Sequence, residues 1–317
     1  MRWFLGILLA LVVLVVGAFF ALSAPDIPRS VLEAKYATPP SRFITLPDGA
    51  RAHYRIRGAD SAPTLLLLHG SNATLFTWEP WSKTLSDHFR VVSVDLPGHG
   101  LTGPVPDHDY SAAGMAKFVG EFADALGIKS FALAGNSMGG GVAAYFAETH
   151  PDMVKALILV DAGGIWTARG DHVPLAFVLM RQKWLSGLLT RLDPKPLVRE
   201  GLNDAIVRKA VLTEQMIDLY ADMARLEGER AATAERFGEM NSDPDFVKNH
   251  VGALKMPVLI LWGEQDHLIP VATAHVWNKA VPGSTLIIYP ATGHIPMEEV
   301  ADRSASDVRQ FLENHEK

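Results

Sequence analysis

Ser137 lies in Gly135-Asn136-Ser137-Met138-Gly139-Gly140, directly after the apolar run Phe131–Ala134. A serine hydroxyl is a poor nucleophile at neutral pH. Acyl chemistry therefore needs an adjacent base, a group to orient that base, and donors for the oxyanion that develops. The position predicts a sharp turn from a strand into a helix. Glycines at 135 and 139 suit it, because side chains there would collide with the strained backbone of the serine. A serine that only capped a helix would not need glycine at 135, 139, 140 and 141. Met138 follows at once, and its backbone N–H would point into the same space as the serine Oγ, as a first oxyanion donor.

The remaining parts come from distant loops. The run Thr64–Leu68 ends in His69-Gly70-Ser71-Asn72, where glycine lets the chain turn and present a backbone N–H. Ser71 is the expected second oxyanion donor, with Asn72 the alternative one residue on. His69 is expected to brace this loop; with Asn72, His99 and Trp184 it completes the residues expected around a substrate pocket. Of the 12 histidines, His294 suits the base best. It follows the run Thr285–Tyr289 and the turn Pro290-Ala291-Thr292-Gly293. His99, in Asp95-Leu96-Pro97-Gly98-His99-Gly100, is the alternative but precedes the nucleophile. For the acid that orients the imidazole, Asp266 lies just past Val258–Trp262, in Gly263-Glu264-Gln265-Asp266. Asp161, ending the run Ala156–Val160, is its rival. Glu264 and His267 are weaker choices.

These loops need strands to hold them. Short β-branched or leucine-rich runs recur at Phe43–Leu46, Ala52–Arg57, Thr64–His69, Arg90–Asp95, Phe131–Asn136, Ala156–Asp161, Pro257–Trp262 and Thr285–Tyr289. Helical patterns at Ala112–Leu126 and Met138–Thr149 alternate with the later ones. That alternation predicts an α/β fold: a mostly parallel eight-stranded sheet covered by helices on both faces. The first two strands are close enough for a hairpin across Pro47-Asp48-Gly49. Residues 164–245 carry helical patterns only, at Val173–Leu192, Asn203–Leu212 and Thr213–Phe237. An all-helical insertion cannot lie within the sheet, so it should form a cap over the strand ends, where ligands of open parallel sheets bind. The core then comprises residues 42–163 and 246–317.

Composition narrows the chemistry. At 317 residues with a net charge of −6 and no basic stripe, the chain is not built to neutralise phosphates of a nucleic acid; small neutral or apolar partners fit better. Without cysteine there is no disulfide, thiolate nucleophile or cysteine zinc site. Asp107-His108-Asp109 reads as a polar loop rather than a metal site. Trp3–Ala24 is uncharged and overwhelmingly apolar, and as a helix would span about 33 Å, enough for a bilayer. Residues 1–24 thus read as a transmembrane anchor rather than a cleaved signal, whose apolar core is usually shorter. Residues 25–41, with Pro25, Pro28, Pro39 and Pro40, read as a linker to an extracytoplasmic catalytic domain.

His69-Gly70, the Asp95–Gly100 loop, the Ser137 turn, Asp266 and His294, in that chain order, make residues 43–315 similar to the α/β-hydrolase fold superfamily. The resemblance implies a helical lid and structural roles for Asp95 and its glycine loop. Gly-Asn-Ser-Met-Gly-Gly also resembles the elbow of serine C–C hydrolases that cleave ring-fission products. Those enzymes carry Trp and Arg where this chain has Ile295 and Glu264. The expectation is a serine hydrolase acting on carboxylic esters, needing no metal or organic cofactor. C–C bond hydrolysis, with Arg181 or Arg191 binding a substrate carboxylate, is one alternative. Acyl transfer and a catalytically silent membrane-tethered binding protein are the others.

Overall fold

The computed structural model describes residues 2–165, 191–239 and 251–315. After helix α1 (Arg2–Leu22) and the short α2 (Arg29–Tyr36) come β1 (Ser41–Thr45), β2 (Arg51–Arg57) and β3 (Thr64–Leu68). Helix α3 (Glu79–Leu85), β4 (Arg90–Val94), α4 (Ala112–Ala125), β5 (Phe131–Asn136), α5 (Met138–Thr149) and β6 (Val154–Val160) follow. The described part of the insertion holds α6 (Lys195–Ala205), α7 (Glu214–Met223) and α8 (Glu229–Glu239). The chain then completes the sheet with β7 (Val258–Gly263), α9 (Ala272–Ala280) and β8 (Thr285–Tyr289), and ends in a helical turn Pro296–Glu299 and α10 (Ala301–His315).

All eight expected strands form, in the order β1-β2-β4-β3-β5-β6-β7-β8. β1 and β2 make the expected antiparallel hairpin, β2 pairs antiparallel with β4, and every later pair is parallel. Interior strands covered on both faces must be apolar on both, which is why β3 reads Thr-Leu-Leu-Leu-Leu without alternation. Its Leu66 and Leu68 enter the core beneath α4, α5 and α9, where Phe122, Phe146 and Trp277 are buried. Leu65 and Leu67 face the opposite core with Trp78, Trp81, Val308 and Phe311 of the α3 and α10 side.

The insertion departs from the expected helices. The segment expected helical over Asn203–Leu212 leaves the helix at Ile206, whose backbone is extended, with a 3-10 turn at Lys209–Val211. There the backbone N–H groups of Val207 and Arg208 donate to the Glu299 carboxylate instead of continuing a helix. The helix expected over Thr213–Phe237 is broken into α7 and α8. Gly228, at φ +85°, turns the chain, while Leu226 is buried against Leu32, Leu101 and Met223. The helix expected over Val173–Leu192, with Trp184 and Arg181, falls almost wholly outside the described residues.

Residues 25–41 are not a free linker. Leu32 of α2 is buried. Arg29 donates to the carbonyls of Leu101 and Thr102, Glu33 pairs with Arg51, and Lys35 and Tyr36 both bond Asp222 at 2.7 Å. Ahead of it, Ala24 N–H donates to the Arg191 carbonyl at 3.0 Å and Ile27 N–H to that of Arg225 at 2.7 Å. Proline here stiffens a docked segment. Among the described residues no helix is long and apolar enough to cross a membrane, so the expected span is not part of the described fold. α1 is a 21-residue helix on which Trp3, Leu9, Val13, Leu14 and Phe20 are exposed.

Candidate active site

Ser137 occupies the turn between β5 and α5 with φ 54° and ψ −121°. Such a conformation costs on the order of 1–3 kcal/mol for a residue with a side chain and persists only when surrounding bonds hold it. Here Ser137 N–H donates to the Val160 carbonyl at 3.0 Å, and Gly140 and Gly163 N–H groups donate to the Ser137 carbonyl at 3.0 and 2.8 Å. The flanking glycines are steric necessities. A Cβ at Gly135 would lie 2.1 Å from the Gly139 carbonyl oxygen, and one at Gly139 would lie 2.4 Å from that of His69. Met138 is the first residue of α5, so its N–H has no acceptor within the helix.

The loop after β3 passes directly beside this turn, since a Cβ built on Gly70 would be 3.0 Å from the Ser137 Cβ. Ser71 is half-buried and its hydroxyl has no partner among the described residues. Asn72 adopts the left-handed φ of 55°. His69 is fully buried: its Nδ1–H donates to the Gly70 carbonyl at 2.7 Å and its Nε2 accepts Leu96 N–H at 3.0 Å. Both nitrogens are therefore committed to the loop. Burial also holds its pKa below the ordinary histidine value, so the ring is neutral. His99, buried too, donates Nδ1–H to the Pro97 carbonyl at 2.9 Å, and burial with the nearby Arg236 holds it well below the usual range. Asp95 accepts Leu75 and Leu101 N–H groups and pairs with His53 at 2.7 Å, all inside the fold.

Asp266 and His294 meet. The His294 Nδ1 is 2.7 Å from Asp266 Oδ2, with both residues buried. The other carboxylate oxygen accepts Leu268 and Ile269 N–H at 2.8 and 3.0 Å, which fixes its orientation. β7 and β8 bring the loops so close that a Cβ on Gly263 would lie 1.9 Å from the Gly293 carbonyl oxygen. The His294 loop is joined to the Ser137 turn by Asn136, whose Nδ2 donates to the carbonyls of His294 and Val160 at 3.0 and 3.1 Å.

Asp161 is also present, at φ 44° after β6, its Oδ1 accepting Gly263 N–H at 2.9 Å. One ligand atom from each of Asp161, Asp266 and His294 lies within 4.8 Å of the others. Burial first, and the neighbouring Asp266 second, push the Asp161 carboxyl well above the usual range. Within the trio the hydrogen bond is the one between His294 Nδ1 and Asp266. Glu264 and His267 are exposed.

Three contributors escape a reading by motif. Asn136 is adjacent to the serine, and its neighbourhood is the only hint. Glu299 accepts Gly293 N–H at 2.8 Å as well as the Val207 and Arg208 N–H groups, tying the His294 loop to the insertion. Arg236 of α8 is fully buried and donates to Asn72 Oδ1 at 2.6 Å. Nothing in local spacing marks either of the last two.

Residues 63–300 match the family described as alpha/beta hydrolase fold. An uncharacterised protein of Mycobacterium tuberculosis is 32% identical over 91% of this chain and 86% of its own length. A 2-hydroxy-6-oxononadienedioate/2-hydroxy-6-oxononatrienedioate hydrolase of Paraburkholderia phymatum is 28% identical over 86% of this chain and 95% of its own. Among solved structures, a bacterial membrane phospholipase A superposes with a TM-score of 0.76 at 26% identity, covering 99% of this chain and 98% of that one.

Proposed function

Because the chain belongs to the alpha/beta hydrolase family, we propose that it is a serine hydrolase cleaving carboxylic esters of small or lipophilic substrates, with Ser137, His294 and Asp266 as its triad. The carrying observation is the 2.7 Å pairing of His294 Nδ1 with Asp266 Oδ2, on a loop bonded through Asn136 to the Ser137 turn. Asp266 directs the Nδ1 proton, so His294 Nε2 is left to take the proton of Ser137 as Oγ attacks the ester carbonyl. The N–H groups of Met138 and Ser71 receive the oxyanion. Collapse expels the alcohol with a proton from His294 and leaves an acyl-enzyme, which water, deprotonated by the same imidazole, hydrolyses. Asp266 is favoured over Asp161 as the acid because it pairs with His294 Nδ1 and accepts two further N–H groups, whereas burial pushes the Asp161 carboxyl well above the usual range. The helical insertion would roof this site.

A lipid-like substrate is supported by two facts: the apolar exposure of α1 and the likeness to a membrane phospholipase A. Membrane attachment through residues 3–24, with the catalytic domain outside the cytoplasm, belongs to the same reading. Protease accessibility in intact cells and alkaline extraction of membranes test it. The main test is a panel of p-nitrophenyl esters of increasing acyl length, run on the parent chain and on Ser137→Ala. The variant should lose on the order of 10³-fold or more in kcat. Near-parental turnover would remove Ser137 from the mechanism.

The 28% identical Paraburkholderia hydrolase favours C–C bond hydrolysis as a second reading. Faster turnover of a dienoic ring-fission product than of any ester would establish it. Partition of the acyl-enzyme to an added alcohol in preference to water would instead mark a transferase. A folded protein inert to esters and fluorophosphonates would be a binding protein.

A further inference from the structure

Arg236 lies far from the proposed triad in sequence, on a helix of the insertion, yet its guanidinium is fully buried. Removing a guanidinium from water is costly unless its donors find acceptors. Here Nη1 donates to the Gly98 carbonyl, and Nη2 donates to Asn72 Oδ1 at 2.6 Å and more weakly to Thr233 Oγ1 at 3.4 Å. The Nε has no acceptor among the described residues. One planar fork thus joins α8 to two loops of the core, those that follow β3 and β4. At both contacts the backbone is in the left-handed region, φ 55° at Asn72 and 68° at Gly98. A residue with a side chain keeps that conformation only where something holds it.

Asn72 is next to Ser71 in the loop that brushes past Ser137. We propose that Arg236 is a positioning residue: through the Asn72 side chain the insertion sets the loop that presents the Ser71 N–H to the oxyanion. The inference rests on the triad and oxyanion reading above and adds to it a dependence on a residue outside the core. A rotation of the loop would move one donor away from where charge develops. Such a loss falls on the transition state and not on substrate binding.

The surrounding charges agree with this role. The groups facing Arg236 are Glu229, Tyr110, His99 and His69. Those facing Glu229 are Arg236, Asp95 and Arg29, with Thr233 donating to its Oε1 at 3.3 Å. Both histidines are held neutral. Glu229 Oε1 lies 3.7 Å from Nη1, beyond a direct hydrogen bond, and burial pushes its carboxyl up to about 8. Burial also lowers the Arg236 pKa from its ordinary value, and its strongest attachments are the oxygens of Asn72 and Gly98.

The experiment uses the full-length chain, a short p-nitrophenyl ester and a fluorophosphonate probe. Arg236→Met and Asn72→Gly are made singly and together; glycine keeps the left-handed backbone and deletes the amide. Each single variant should lower kcat about 10- to 100-fold with KM within about threefold, slow fluorophosphonate labelling in step, and combine without further loss. Arg236→Lys, a point donor unable to serve both loops, should recover only part of kcat. Unchanged kcat in folded Arg236→Met, a change in KM alone, or additive losses in the double variant would overturn the proposal. Should Arg236→Met not fold, Asn72→Gly decides alone: lowered kcat supports the proposal and parental kcat refutes it. If Ser137→Ala retains activity, the underlying triad reading fails; if that variant is dead while Asn72→Gly and Arg236→Met are fully active, only this inference fails.

Discussion

Two carboxyl groups sit beside His294, and burial makes them unlike. Asp266 accepts three N–H groups, including that of the imidazole, whereas Asp161 accepts one and burial pushes its carboxyl well above the usual range. Asparagine mimics a protonated carboxyl but not a carboxylate. Asp266→Asn should therefore lower kcat by about 10³- to 10⁴-fold, while Asp161→Asn should stay within about tenfold of the parent. Ester kinetics on the pair check this, and the reverse ranking would transfer the acid role to Asp161. Glu298 gives a second residue-level outcome. Burial pushes its carboxyl up to about 7 from an ordinary 4.5. Between those values the folded chain binds more protons than the unfolded one. The stabilisation is thus full below the unfolded pKa and is lost as pH rises toward 7. Glu298→Gln should gain stability relative to the parent between pH 5 and pH 7.5, read from urea unfolding at both. The triad candidates were legible because each follows a strand run on a glycine-bearing loop. Asn136, Glu299 and Arg236 were not, since their partners lie 158, 91 and 164 residues away.

Elements place these groups by close backbone contact. α5 starts immediately at the nucleophile turn and packs on the ends of β3 and β5, with no room for a methyl at Gly139: the built Cβ would meet the carbonyl oxygens of His69 and Leu68 at 2.4 and 2.5 Å. Neither oxygen is at the tip of a flexible side chain, so the helix or the strand must move. Gly139→Ala should cost about 2 kcal/mol or more and depress kcat even where the protein stays folded; denaturant unfolding and ester turnover check the two effects. Strand existence followed from apolar runs, because a strand buried on both faces has no alternative composition. The insertion's breaks at Ile206 and Gly228 were harder to foresee. Local periodicity continues through them, and what ends the helices is a carboxylate from residue 299 and a buried contact from Leu32.

At the scale of the molecule, the segment after α1 is docked on both insertion and core. Leu32 is 1% exposed and packs with Leu101 of the core and Met223 and Leu226 of the insertion. Leu32→Ala should therefore destabilise the protein by about 2–5 kcal/mol, as a fall in the urea midpoint with unchanged slope. A free linker would give no measurable change. Of the five non-glycine residues with positive φ among the described residues, Asn72, Ser137, Asp161 and Ala291 follow β3, β5, β6 and β8, with His108 the exception, so most of this strain gathers at one rim of the sheet, where the proposed chemistry lies.

By itself the amino-acid order determined the fold class, the eight strands and the separate loops that carry Ser137, Asp266 and His294, since these depend on apolar runs and glycine turns a few residues long. It did not determine that β4 lies between β2 and β3, that burial and Asp266 push the Asp161 carboxyl well above the usual range, or that a buried arginine from the insertion grips the loop beside the nucleophile. Those outcomes depend on solvent exclusion and on contacts between residues distant in the sequence, which exist only once the chain has closed around them.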